Sequence, residues 1–473
     1  MSSRERVAVV GAGVSGLTAA HLLLRAGYDV TVIDRRANIG GRIHSENCDG
    51  YLLEHGANAM VTPAPSADTL IKDLALSAER IEQGERVRRR YLVRAGRVRA
   101  LGIGPLGLIA SGFLSLRGRM RLLAEPFARI VEEDETVADF VDRRFGREFL
   151  DHVVDPLVGG LYTGDPAHLG MDAVFPRLKR LERDHGSVIR GILRGRNREG
   201  RPFSPRKRKL ISFRSGLGAL PHALGNALAG RLLLETRLER IEPSAGGTYR
   251  LRLRDTLGTS TQVVGSVVLA LPAYAAAAIL ARLDADVGAA LASIPHPPVA
   301  VVFLGYERSA IRHPLDGLGV LSPKSEGRSV LGFLFSSTLF PGRAPGDRVL
   351  LTAYVGGARQ PELTLLDRAT LADLVAKEAR DFLGAHTPPR FSRLRYWRQG
   401  LPQPGVGHNR VVARLRSLEE RWPGLFVTGN YLAGVSTGAC IEEATATAAR
   451  VTRHLEKNRP QMSSGGLLRA HER

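Results

Sequence analysis

The residues from Arg6 to Val10 form a Val-rich run of the kind that makes a short buried strand. Gly11 to Gly16 is a glycine-rich turn, and Leu17 to Arg25 carries apolar residues at helical spacing until Gly27 stops the pattern. Val30 to Ile33 is again β-branched and ends at Asp34. The order predicted is strand, turn, helix, strand, which opens a parallel sheet.

From about Leu70 to Leu181 the apolar period is mainly helical, and Thr136 is placed to cap an amphipathic segment, Val137 to Phe149. Arg194 to Lys209 is crowded with Arg, Lys, Gly and Pro; it cannot bury apolar surface, so a mobile loop is expected. Strand-like runs resume at Leu232–Leu234, Tyr249–Leu253 and Val263–Leu271. Those at Val299–Tyr306, Val330–Leu334 and Val349–Val355 predict a second sheet. Leu425–Thr428 reads as a short strand, followed by Gly429, a small-residue segment and an Ala-rich helix to about Leu455.

Composition narrows the classes. A chain of 473 residues is long enough for two or three domains. Its net charge of +20 makes acidic partners or anionic surfaces plausible without choosing among them. Cys48 and Cys440 are the only cysteines, which excludes a disulfide framework and any all-Cys metal site. The scattered histidines lack ligand spacing, so no metal is expected. The polar start lacks the order of a signal peptide, so a cytoplasmic chain is expected. Ala100–Leu116 carries no charge, but its glycines and Pro105 make a poor helix. Pro272 likewise breaks the apolar stretch Val263–Ala281, so neither predicts a membrane span.

The chemistry begins with Gly11, Gly13 and Gly16. In a strand-to-helix turn the first permits the tight bend, the second lets backbone approach a diphosphate, and the third lets helix and sheet pack closely. Asp34 ends the next strand eighteen residues past Gly16, where a carboxylate accepts from ribose hydroxyls and repels a 2′-phosphate. Gly40, Gly41 and Arg42 follow, two glycines for a second close approach and a cation suited to phosphate.

These motifs resemble the flavin amine oxidase superfamily. PLVGGLYTGDP (156–166), FPRLKRLERDHGS (175–187), VVLALPA (267–273), VGGAR (355–359), WRQGLPQPGVGH (397–408) and LFVTGNYLAGV (425–435) resemble the protoporphyrinogen oxidase family within it. The resemblance implies an α/β fold: a Rossmann-type FAD-binding domain, an inserted α+β substrate domain and a helical insertion. The expected division is 1–80 with 208–285 and 392–456 for FAD, 81–207 mainly helical, 286–391 β-rich, and 457–473 a disordered tail.

By the same resemblance Gly11, Gly13, Gly16, Asp34, Gly41 and Arg42 hold the ADP half of FAD. Backbone at Leu238 meets adenine, and Trp397, Gly429, Asn430 and Val435 lie toward the flavin. The implied reaction oxidises protoporphyrinogen IX to protoporphyrin IX with dioxygen as acceptor. It is flavin-centred, so no catalytic side chain is demanded. A coproporphyrinogen III oxidase, or a relative acting on an amine or other secondary metabolite, is the alternative. Phe333, Phe335 and Arg359 are the expected substrate contacts, with Leu331, Met171 and Arg94 as further candidates. A peripheral membrane contact at Ala100–Leu116, flanked by Arg99, Arg117 and Arg119, is also implied. Nucleic acid is not an expected partner, because aromatic residues at 6% offer little base stacking. Two departures from the family pattern, Pro404 after Gln403 and STGACIEEA after Val435, fall near the expected flavin face and bear on the substrate.

Overall fold

The structure, a computed structural model, describes residues 5–62, 64–102, 107, 112–194 and 209–458. The basic run over 195–208, the tail over 459–473 and most of the interior of Ala100–Leu116 lie outside the described residues.

A five-stranded parallel sheet takes its strands from all along the chain, in the order Leu232–Leu233, Asp29–Ile33, Arg6–Val10, Ser266–Leu269, Leu425–Val427. Both faces are covered, as a parallel sheet requires, so its strands read as continuous apolar runs. Val7, Val9, Val30 and Val32 pack with Leu17, Leu220, Leu224, Ile441 and Val451, contributed by the helices Val14–Arg25, Ala219–Ala227 and Thr437–Lys457. On the other face Ala8, Val10, Val267 and Leu269 meet Leu251 and Leu253 of a three-stranded antiparallel sheet. The helix Ala273–Leu280 begins directly after Pro272, which supplies its N-cap.

The second sheet has seven strands, ordered Phe391–Trp397, Val299–Glu307, Arg348–Gly356, Val330–Phe335, Gly317–Leu321, Arg89–Arg94, Arg97–Ala100. Its membership corrects the expected boundaries. The hairpin Arg89–Ala100 falls within the stretch 81–207 expected to be mainly helical, yet Arg89–Arg94 pairs parallel with Gly317–Leu321. Phe391–Trp397, placed with the cofactor segments, pairs with Val299–Glu307. The helix Arg368–Leu383 covers one face of this sheet through Leu371, Val375, Ala379 and Phe382.

The helical insertion is held by Val137, Phe140, Leu150, Val158, Leu169 and Met171. Thr136 caps the helix Val137–Phe145, accepting from the Asp139 N–H at 3.0 Å. Beneath this core lies a buried ionic cluster. Arg144 reaches Glu125 at 3.0 Å and Glu182 at 2.7 Å, Arg143 reaches Glu182 at 2.8 Å, and Lys179 reaches Glu135 at 2.7 Å. Three cations are matched by three anions, the condition under which charges tolerate burial.

Candidate functional site

The amino-terminal turn is shaped by missing side chains. Gly11 sits at φ +114°, and a Cβ on it would lie 2.4 Å from the carbonyl oxygen of Ala270. A Cβ on Gly16 would come within 1.9 Å of the Gly11 carbonyl oxygen, so its absence lets helix and strand meet. Gly13 differs, because a Cβ there would touch nothing within 4 Å. It caps the amino end of Val14–Arg25, where free N–H groups and the helix dipole favour a phosphate. The open space beside Gly13 therefore fits the diphosphate of a dinucleotide.

Asp34 holds this turn in shape. Its Oδ2 accepts from the Ala12 N–H at 2.7 Å and its Oδ1 from the Arg36 N–H at 2.9 Å. Its carbonyl accepts from the Thr236 N–H at 2.9 Å, which brings in the strand Arg237–Ser244. Leu238 is buried there, at a break in the pairing register. The Gly40 N–H donates to Ala12 O at 2.8 Å, and Gly41 lies against Gly13, so the second glycine loop closes over the first. Arg42 stacks 5.3 Å from the Trp397 ring centroid, with Arg395 4.8 Å from the same ring, and it donates to the Gln399 carbonyl. Burial holds the Arg42 guanidinium below its ordinary value. Trp397 in turn donates from Nε1 to His55 O at 2.7 Å.

The other half of the site sits at the carboxyl end of Leu425–Val427, where open α/β sheets place their ligands. Gly429–Val435 makes a turn into Thr437–Lys457, whose N-cap Ser436 accepts from the Ala439 N–H. Burial keeps His408 below its usual value and hence neutral, and its Nε2 lies 2.6 Å from Tyr431 O, pinning the turn. The Thr428 and Tyr431 hydroxyls are buried without a partner among the described residues. Cys440 of this helix donates from Sγ to Gly434 O, and burial pushes its thiol up to about 11. A thiol so held is a packing group rather than a nucleophile.

Against the turn opens a cleft of about 340 Å³, lined by Tyr162, Pro176, Arg180 and Pro404 together with Asn430 and Val435. Asn430 and Val435 thus line a cleft. The substrate candidates do not. Phe333 and Phe335 are 1% and 0% exposed and pack on the helix-covered face of the seven-stranded sheet, against Phe382 and against Tyr91 and His313. That strand is buried on both faces, so alternation could not tell which face looks toward the cleft. Arg359 is also buried, ion-paired to Asp155 at 2.8 Å and bonded to Ser322 O at 3.1 Å, so it has no reach toward a substrate. Leu331 and Met171 are core residues, and Arg94 is taken up by His152 and Glu148. Tyr162, Arg180 and Arg183 also line this cleft; the first lies in PLVGGLYTGDP and the others in FPRLKRLERDHGS, the segments that could have pointed to them.

Residues 14–455 match the family described as flavin containing amine oxidoreductase. The chain belongs to that family. A mitochondrial protoporphyrinogen oxidase of Nicotiana tabacum is 32% identical to this flavin amine oxidoreductase over 96% of each chain. A coproporphyrinogen III oxidase of Bacillus subtilis is 25% identical over 96% of this chain and 99% of its own. The crystal structure of a protein from Exiguobacterium sp. superposes with a TM-score of 0.81 at 22% identity, over 96% of this chain and all of that one, and so shares the fold. This member of the family is thus an FAD-dependent oxidoreductase, and the cradle around Gly13 and Asp34 suits that cofactor.

Proposed function

We propose that the protein oxidises protoporphyrinogen IX to protoporphyrin IX, with dioxygen as the electron acceptor. The observation that carries this reading is the cleft beside Asn430 and Val435, whose volume falls within the roughly 300–1,000 Å³ of small-molecule sites. Full-length similarity to oxidases of two porphyrinogens supports it.

Bound FAD supplies the two-electron acceptor, and three rounds remove the six hydrogens that separate substrate from product. The chain's own residues bind and orient. Gly13 and Asp34 would hold the diphosphate and ribose, with Gly41 and Arg42 closing over them and Leu238 beside the base. Asn430 and Val435 would fix the flavin edge, with the amino end of Thr437–Lys457 favouring negative charge on a reduced ring. Pro176, Pro404 and Leu432 present apolar wall to a macrocycle, and Tyr162 lies among them. The neutral His408 holds the turn, and no proton needs to pass through it.

The deciding measurement is anaerobic bleaching of the flavin by a panel of protoporphyrinogen IX, coproporphyrinogen III and several amines. Bleaching by protoporphyrinogen, followed on aeration by three dioxygen consumed per porphyrin formed, is the expected result. Bleaching by amines alone would overturn the tetrapyrrole reading. Preference for coproporphyrinogen would move it to the substrate with four carboxylates.

We also propose a peripheral lipid contact. Leu116, Met120 and Leu123 follow one stripe of the helix Leu116–Leu123, and with Phe127 they are exposed at 74, 65, 63 and 85%. Arg117 and Arg121 share this helix, the pattern of an interfacial helix on an anionic surface.

A further inference from the structure

We infer that Arg180 is the carboxylate anchor of the cleft, the residue through which an acidic side arm of the substrate is recognised. The inference rests on the tetrapyrrole reading above and adds to it a named contact. Pro176, Arg180 and Arg183 follow one face of the helix Pro176–His185, and all three line the cleft. The adjoining face carries Lys179 and Glu182, both fully buried in the ionic cluster. This clamp fixes the rotation of the helix, and with it the direction of the cleft-lining face.

The two arginines on that face are not equivalent. Arg183 is matched by Asp172 at 2.9 Å. Arg180 has no ion pair and no hydrogen bond among the described residues, and its side chain is exposed beside the opening. Among the described residues it is the one arginine of the cleft left unmatched. Asn430 and Val435 line the same cleft, so a substrate held in it lies within the field of the Arg180 guanidinium. A guanidinium there binds a carboxylate through two parallel N–H donors and has no equivalent affinity for an amine.

The test uses the FAD-loaded protein and the product, protoporphyrin IX, compared with its dimethyl ester, which keeps the ring and removes both charges. Binding is read from porphyrin fluorescence, with flavin absorbance confirming that each variant is loaded. Wild type is expected to prefer the acid by about fivefold, the range of a partly exposed charge pair. Arg180→Gln should bind the two forms within about twofold of each other, while Arg180→Lys should keep an intermediate preference. If Arg180→Gln retains the wild-type ratio, the anchor is refuted although the tetrapyrrole reading stands. If wild type binds neither porphyrin, the reading itself fails and takes the anchor with it.

Discussion

At Gly13 a single hydrogen stands where any other residue would place carbon in the path proposed for the diphosphate. Gly13→Val should leave the fold intact, because the space is open, yet yield colourless protein; circular dichroism and flavin absorbance separate the two effects. Gly16→Ala should behave oppositely, losing stability first, since its methyl group would lie 1.9 Å from a carbonyl oxygen. Both glycines belong to one local motif, which is why the sequence alone located them. His313 offers a pH test. Burial pulls it down to about 4, and its Nδ1 accepts from the Leu315 N–H at 3.0 Å, an arrangement that requires the neutral ring. The folded value lies below the unfolded 6.5, so the unfolded chain binds the extra proton first. Stability should be complete above about pH 6.5 and decline progressively as pH falls toward 4. His313→Asn should flatten that part of a Tm-against-pH curve.

Elements were legible where their period was simple and illegible where partners are far apart. The strands Val299–Glu307 and Arg348–Gly356 and the helix Thr437–Lys457 match their apolar runs to within a residue or two. The hairpin Arg89–Ala100 does not announce its partner, because its parallel neighbour lies more than two hundred residues along the chain. The same distance effect hid the role of Arg359: its charge suggested a ligand, whereas Asp155 claims it from another part of the sequence. The helix Leu116–Leu123 supports a prediction at this scale. Replacing Leu116, Met120 and Phe127 together with Ser should abolish co-sedimentation with anionic vesicles while leaving flavin content unchanged. Equal sedimentation of wild type and the triple variant would remove the lipid contact from the account.

Across the whole molecule, the helical insertion and the seven-stranded sheet are joined at Arg359–Asp155, with Lys324 contributing its N–H to Asp155 at 2.7 Å. Arg359→Met removes one partner and strands a buried carboxylate, which costs about 3–5 kcal/mol. The expected outcome is a Tm lowered by several degrees with turnover reduced, because Tyr162 closes the helix that Asp155 begins. Turnover and Tm both unchanged would show that the two parts are held elsewhere.

The parallel sheet draws its first strand from residues 6–10 and its last from 425–427. A polypeptide still on the ribosome therefore owns the turn proposed to cradle the phosphates long before it owns the one proposed to meet the flavin ring. Nascent chains stalled short of residue 425 should emerge without yellow colour, and vitamin loading becomes an event that follows translation rather than one that guides it.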